Sequence, residues 1–204
     1  MKTNHKLPFI SIGLAVWLHL FSYSSFAADL IKAKTAAVDS AAVSEDSITR
    51  NSPLHVQLFD STYADLGNPK HRDTAELLAM SAPHLLAVDI VESLRRAGFS
   101  NVVLDEPTAT LSAKQLTLTG SFTDLNPGSQ AARAWIGFGV GKSKVCIEGR
   151  VSDSVGKVLA KFSHCRKGLG WGDSSSQMAN SAVRVGDSVA VFLTQWANGE
   201  FARH

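Results

Sequence analysis

The chain carries only two cysteines, and they sit symmetrically about one polar turn. Residues 144–165 read KVCIEGRVSDSVGKVLAKFSHC. A four-residue loop at 154–157 makes the flanks an antiparallel hairpin in which Val151 faces Ala160. The same register pairs Arg150 with Lys161, Glu148 with Ser163 and Cys146 with Cys165. Side chains alternate between the faces of a strand, so both cysteines share one face and lie opposite each other. The spacing predicts a disulfide that closes a loop of about 20 residues. Two free thiols are the alternative. A metal site with His164 as third ligand lacks a ligand spacing, and His164 would point away from Cys165.

Residues 1–27 set the compartment in which such a bond could form. Lys2 and Lys6 precede an apolar run from Leu7 to Phe21, and Ser25 and Ala27 put small residues before a cut after Ala27. This is the pattern of a secretory signal peptide. The run is 15 residues long, against roughly 20 for a membrane-spanning helix. No cysteine adjoins the cut, so no lipoprotein anchor is expected. Past residue 27 the chain has 18 basic and 18 acidic residues. That balance removes the electrostatic footprint of a nucleic-acid binder. No further integral membrane helix is expected. The expected location is periplasmic or secreted.

Residues 28–53 are rich in Ala, Ser, Thr and charge, without an aromatic, and read as a flexible tether. One domain is expected over 54–199, followed by a short tail, 200–204. Leu54, Val56 and Leu58 alternate with polar residues as in a strand. Asp73 and Glu76 resemble a capping box, and Pro83 should start or kink a second helical piece. Ala87, Ile90, Val91, Leu94 and Ala97 then recur at helical spacing, with Gly98 as the stop. Strands follow near 101–106, near 115–122, across 133–152 and near 157–165. The last helix, about 176–197, buries Met178, Ala182, Val185, Val189, Phe192 and Trp196. The order β-α-β-β-β-β-α predicts a two-layer α/β fold. It has a mixed sheet of about five strands, the first two parallel, with helices on one face.

The stretch Arg133–Val145, RAWIGFGVGKSKV, tempts a phosphate-loop reading. The motif G-x-x-x-x-G-K-[ST] needs glycine at 136, where isoleucine stands. On a strand Gly137, Gly139 and Gly141 share one face, while Ile136, Phe138 and Val140 share the other. Either the chain bends near Gly141 and buries those three, or they mark a partner surface with Arg133. The histidines form no HExxH pair, and no G-x-S-x-G occurs. No catalytic residue, metal ligand or cofactor site is therefore assigned.

These marks carry a family resemblance. Pro127-Gly128, Arg133, the Gly137-x-Gly139-x-Gly141 strand and the Asp153-x-x-Gly156-Lys157 hairpin resemble a bacterial envelope family, domain of unknown function 4410. The resemblance covers most of 54–197. Many of that family are lipoproteins; this chain lacks the lipid-bearing cysteine. The family implies a fold and an envelope setting but no activity. A weaker similarity runs to the curli secretion channel family, through the Ala-Arg-aromatic-x-Gly-x-Gly stretch and Ser154–Leu159. The resulting expectation is a non-catalytic binding or scaffolding protein of the envelope, with an envelope protein as partner and oligomerisation left open. A subunit of an outer-membrane assembly and a hydrolase with a dispersed site are the alternatives.

Overall fold

The computed structural model describes residues 29–46, 48–104, 115–128, 143–168 and 174–201. Its strands are β1 (Ile31–Lys32), β2 (Ser40–Val43), β3 (Leu54–Val56), β4 (Val102–Leu104), β5 (Leu116–Asn126), β6 (Lys144–Ser152) and β7 (Val158–Lys167). Among the described residues two long helices, α1 (Arg72–Arg96) and α2 (Ser174–Ala197), accompany them. The seven strands form one sheet in the order β1-β2-β7-β6-β5-β3-β4. It is mixed: β3 runs parallel to β4 and β5, and the other pairs are antiparallel.

Seven strands replace the expected five because residues 28–53 are not simply a tether. Ile31–Lys32 pairs with β2, and Ser40–Val43 pairs with β7. Val38, Ala41, Val43 and Ile48 are buried in the main core. Small residues suffice here because β2 lies near an edge, where little side-chain volume is needed to cover the helices' flank.

The β6–β7 register agrees with the expectation pair by pair: Val151–Ala160, Arg150–Lys161, Glu148–Ser163 and Cys146–Cys165. The turn chemistry explains why. The Asp153 carboxylate accepts N–H bonds from Val155 (3.0 Å) and Lys157 (2.8 Å), and Gly156 takes φ of 83°. Such an Asx-type turn with a left-handed glycine fixes the hairpin's register.

Along β5, Leu116, Leu118 and Phe122 face the core, and so does Leu125. A register shift between Phe122 and Asp124 restores the parity. One inserted residue, Thr123, turns an apparent strand end into a strand that continues to Asn126. Past β3 the chain keeps following β5: Asp60 N–H donates to Gly120 O (2.9 Å), and Phe122 N–H donates to Asp60 O (2.7 Å).

At the centre of the core face two glycines lie directly opposite, Gly120 and Gly149. The Phe59 ring occupies the space over Gly120, and the Phe162 ring occupies the space over Gly149. The sheet's missing side chains are thus replaced by two rings from elsewhere in the chain. Phe59 meets Phe122 edge-on at 6.3 Å, and Phe162 meets Phe192 of α2 at 5.5 Å. Both arrangements suit the ring quadrupole.

The helices lie on this face and on each other. Leu86, Ile90 and Leu94 of α1 join Val185, Val189, Phe192 and Trp196 of α2 in the same core as Leu118, Ile147 and Val151. The helical piece expected to start or kink at Pro83 is part of one helix that begins at Arg72, with Pro83 inside it. Asp73 is not its cap: a 3-10 turn, Pro69–His71, capped by Asn68, leads into it. Both helices end on glycines of positive φ, Gly98 and Gly199. At each end both turn bonds of a Schellman motif close: Phe99 N–H to Leu94 O with Gly98 N–H to Arg95 O, and Glu200 N–H to Gln195 O with Gly199 N–H to Trp196 O.

The stretch Ala75–Arg96 is long and apolar enough to cross a membrane by length and composition alone, a test that core helices also pass. Half of it is buried inside the fold. Leu77 (68% exposed) and Met80 (77%) lie on its open side.

Candidate functional site

The sheet face away from α1 and α2 is built from the residues alternate to the core set. Register aligns them in rows across the strands. One row runs Lys32 (β1), Ala42 (β2), Lys161 (β7), Arg150 (β6), Thr119 (β5). The next runs Ser40, Ser163, Glu148, Ser121. Asp60 stands at the rim. These residues line an open depression of about 780 Å³.

Three cations therefore share one row. Lys32, Lys161 and Arg150 are exposed. Among the described residues none of the three has an ion-pair partner within 4.0 Å. Lys161 and Arg150 are directly opposed, an arrangement that costs a sheet stability. The adjoining row is a hydroxyl row with one carboxylate, and its Ser40 and Ser163 hydroxyls are hydrogen-bonded at 2.8 Å. Asp60 is held in place by Thr62, whose hydroxyl (2.6 Å) and N–H (2.9 Å) both donate to it. Those two bonds hold the Asp60 carboxyl below the usual carboxylate range.

The disulfide closes one end of this face. Cys146 and Cys165 are bonded, with Cα atoms 4.1 Å apart, on the outward side of β6 and β7. His164 faces the other way and is buried, 5% exposed. Its Nδ1 lies 3.5 Å from an Asp39 oxygen, and the other Asp39 oxygen accepts the Cys165 N–H at 2.7 Å. Burial pushes the His164 pKa down against the pull of Asp39. This pair pins the β1–β2 segment to β7 from the core side. Its imidazole lies across the sheet from the serine row. Among the described residues no group of three His, Cys, Asp or Glu side chains could hold a metal ion.

The surface expected at Arg133, Ile136, Phe138 and Val140 lies outside the described residues. The outer-face row was half legible: the hairpin register already opposed Arg150 to Lys161. Lys32 was missed because its strand is two residues long. Only its pairing to β2 brings it into line.

A second polar cluster sits where α1 crosses α2. Asp89 lies against Gly186, whose lack of a side chain leaves room for the carboxylate. Ser93 Oγ donates to Asp187 Oδ1 at 2.8 Å, and Arg96 donates to Ser93 Oγ at 2.7 Å. Burial first, then the nearby Asp187 charge, push the Asp89 pKa up from 3.8 to about 6. An acid raised in this way stabilises the fold at low pH, and that contribution is lost as pH rises from 3.8 through about 6. Asp89→Asn is therefore expected to raise stability at pH 7.5 by about 1 kcal/mol, and to have no effect near pH 4. Thermal unfolding at the two pH values reads this; equal shifts at both would contradict it.

Comparison with known proteins places the family. The model of the family described as domain of unknown function (DUF4410) matches residues 32–172. The chain belongs to the DUF4410 family. The match begins inside β1, so the family's domain takes in the N-terminal strands of this DUF4410 chain. No curated protein matches the chain closely enough to count as a relative. Among solved structures, a PelC dodecamer from Paraburkholderia phytofirmans is similar at 15% identity and a TM-score of 0.46, covering 71% of this chain and 91% of PelC. A variant of that dodecamer gives 14% identity and the same TM-score, covering 71% and 90%. An uncharacterized protein gives 12% identity and 0.41, covering 72% and 92%. A likeness of this size carries neither function nor assembly to the DUF4410 chain.

Proposed function

We propose that this DUF4410 chain is an exported, non-catalytic binding module of the cell envelope, and that the uncovered sheet face is its working surface. The observation that carries this reading is the row Lys32, Lys161, Arg150, exposed and, among the described residues, without ion-pair partners. Opposed like charges cost stability, and a ligand that neutralises them recovers it. Export is supported by the residue 1–27 pattern and by the Cys146–Cys165 disulfide, a bond that persists in oxidising compartments. The face is rigid, since it sits on paired strands and the disulfide ties two of them. Rigid elements suit binding that needs fixed geometry.

The test is made in cells. A photo-crosslinking residue at Ser121, on the face, is expected to give a discrete adduct, while one at Tyr63, exposed elsewhere, gives none. Cell fractionation should place the chain outside the cytoplasm with both cysteines closed to alkylation. Adducts alike at both positions, or a cytoplasmic chain with two free thiols, would remove the reading.

A further inference from the structure

The binding-module reading leaves the ligand open, and the composition of the face narrows it. Its charged groups are Lys32, Lys161, Arg150, Glu148 and Asp60. Adjacent strands lie about 4.8 Å apart, so Lys161 and Arg150 can share one anionic group. Lys32, two strands from Lys161, receives a second group about 10 Å away. The guanidinium fork of Arg150 suits a planar carboxylate, and the ammonium groups act as point charges.

Glu148 decides between classes of anion. It stands diagonal to Lys161 in the adjoining row, between Ser121 and Ser163. An ionised carboxylate accepts hydrogen bonds and repels further anions. A ligand with anions at every position, such as an acidic peptide or a phosphate polymer, would meet that repulsion. A ligand alternating anions with hydroxyl donors would not. Its hydroxyls would go to Glu148 and the serine row, and its anions to the cationic row. The surface is an open depression of about 780 Å³.

We propose that the Lys32–Lys161–Arg150 row binds the carboxylates of a soluble acidic oligosaccharide, with Glu148 and the Ser40–Ser163–Ser121 hydroxyls taking its hydroxyl groups. The ligand lies across the strands, and its sugar carboxylates follow the row. This inference rests on the outer face being the working surface.

Calorimetry with the galacturonic acid trimer at physiological salt tests it. Saturable binding is expected, with none for a neutral trisaccharide. Arg150→Gln and Lys161→Gln should each weaken binding about tenfold, the loss of one charge-assisted hydrogen bond. Both variants should melt no lower than the parent chain, because each relieves a like-charge opposition. Glu148→Gln is the sharper probe. Simple charge attraction predicts tighter binding after its removal, whereas the hydroxyl-acceptor role predicts weaker binding. No binding of the trimer, tighter binding by Glu148→Gln, or equal binding of a hexaglutamate peptide or of anionic phospholipid vesicles would overturn the proposal. If the trimer fails while the Ser121 crosslink persists in cells, the ligand class falls and the binding-module reading stands. If both fail, the face is not the working surface.

Discussion

Gly120→Ala should destabilise the fold by about 3 kcal/mol, a large loss for one methyl group. A side chain there would meet the Phe59 ring and the backbone carbonyl of Glu148 on the neighbouring strand. The ring could turn, but the carbonyl belongs to the sheet ladder and cannot retreat without breaking it. Phe59 is also 1% exposed and braced by Phe122, so its own retreat opens a gap in the core. Chemical denaturation should show the midpoint falling with an unchanged slope. Ser121→Ala, one residue along and facing outward, serves as the control and should change stability by about 0.5 kcal/mol or less. A loss under about 1 kcal/mol for Gly120→Ala would mean that the rings do not fill the sheet's glycine gap.

The second large effect comes from the disulfide. Cys146→Ala with Cys165→Ala is expected to cost about 3 kcal/mol, from the freedom that the unfolded chain regains when a loop of this size opens. The bond joins residues 19 apart in sequence, on strands already paired through nine register positions. Little of its effect can therefore come from holding the folded hairpin together. Two results should follow. The folded double variant should keep the hairpin's amide protection, and the loss should be matched by reducing the parent chain. A double variant as stable as the oxidised parent would contradict the unfolded-state account.

Much of the architecture was legible because it depended on local rules. The hairpin register came from one turn and two cysteines, and the stripes Ala87–Leu94 and Ala182–Trp196 came from helical spacing. The rest was hidden for physical reasons. Ile31–Lys32 and Ser40–Val43 are too short and too small-sided to alternate visibly. They become strands only because β7 offers an edge, so the cause lies over a hundred residues away. The one local hint was Ala41 and Val43, two apolar residues at strand spacing. Leu125 was hidden by the bulge at Thr123, which breaks the period of two. The family resemblance was read from 54 onward, yet the family match starts at residue 32. The outer-face row was visible only as the pair Arg150–Lys161. A site assembled by register across five strands has no compact signature in a linear sequence.

The sheet order also dictates when the molecule can be completed. Ser40 of β2 has its partner hydroxyl on Ser163, 123 residues later. A ribosome delivers the chain N-terminus first, so β1 and β2 emerge long before the edge that receives them. The hairpin β6–β7, by contrast, joins neighbours in sequence and can close as soon as it appears. Assembly is therefore expected to run from the middle of the sheet outward, with the oldest residues the last to settle. Lys32 belongs to those residues, so the cationic row is complete only once the edge has closed. The proposed binding face then doubles as a marker of finished folding: a chain still waiting for its first strands presents two of the three cations.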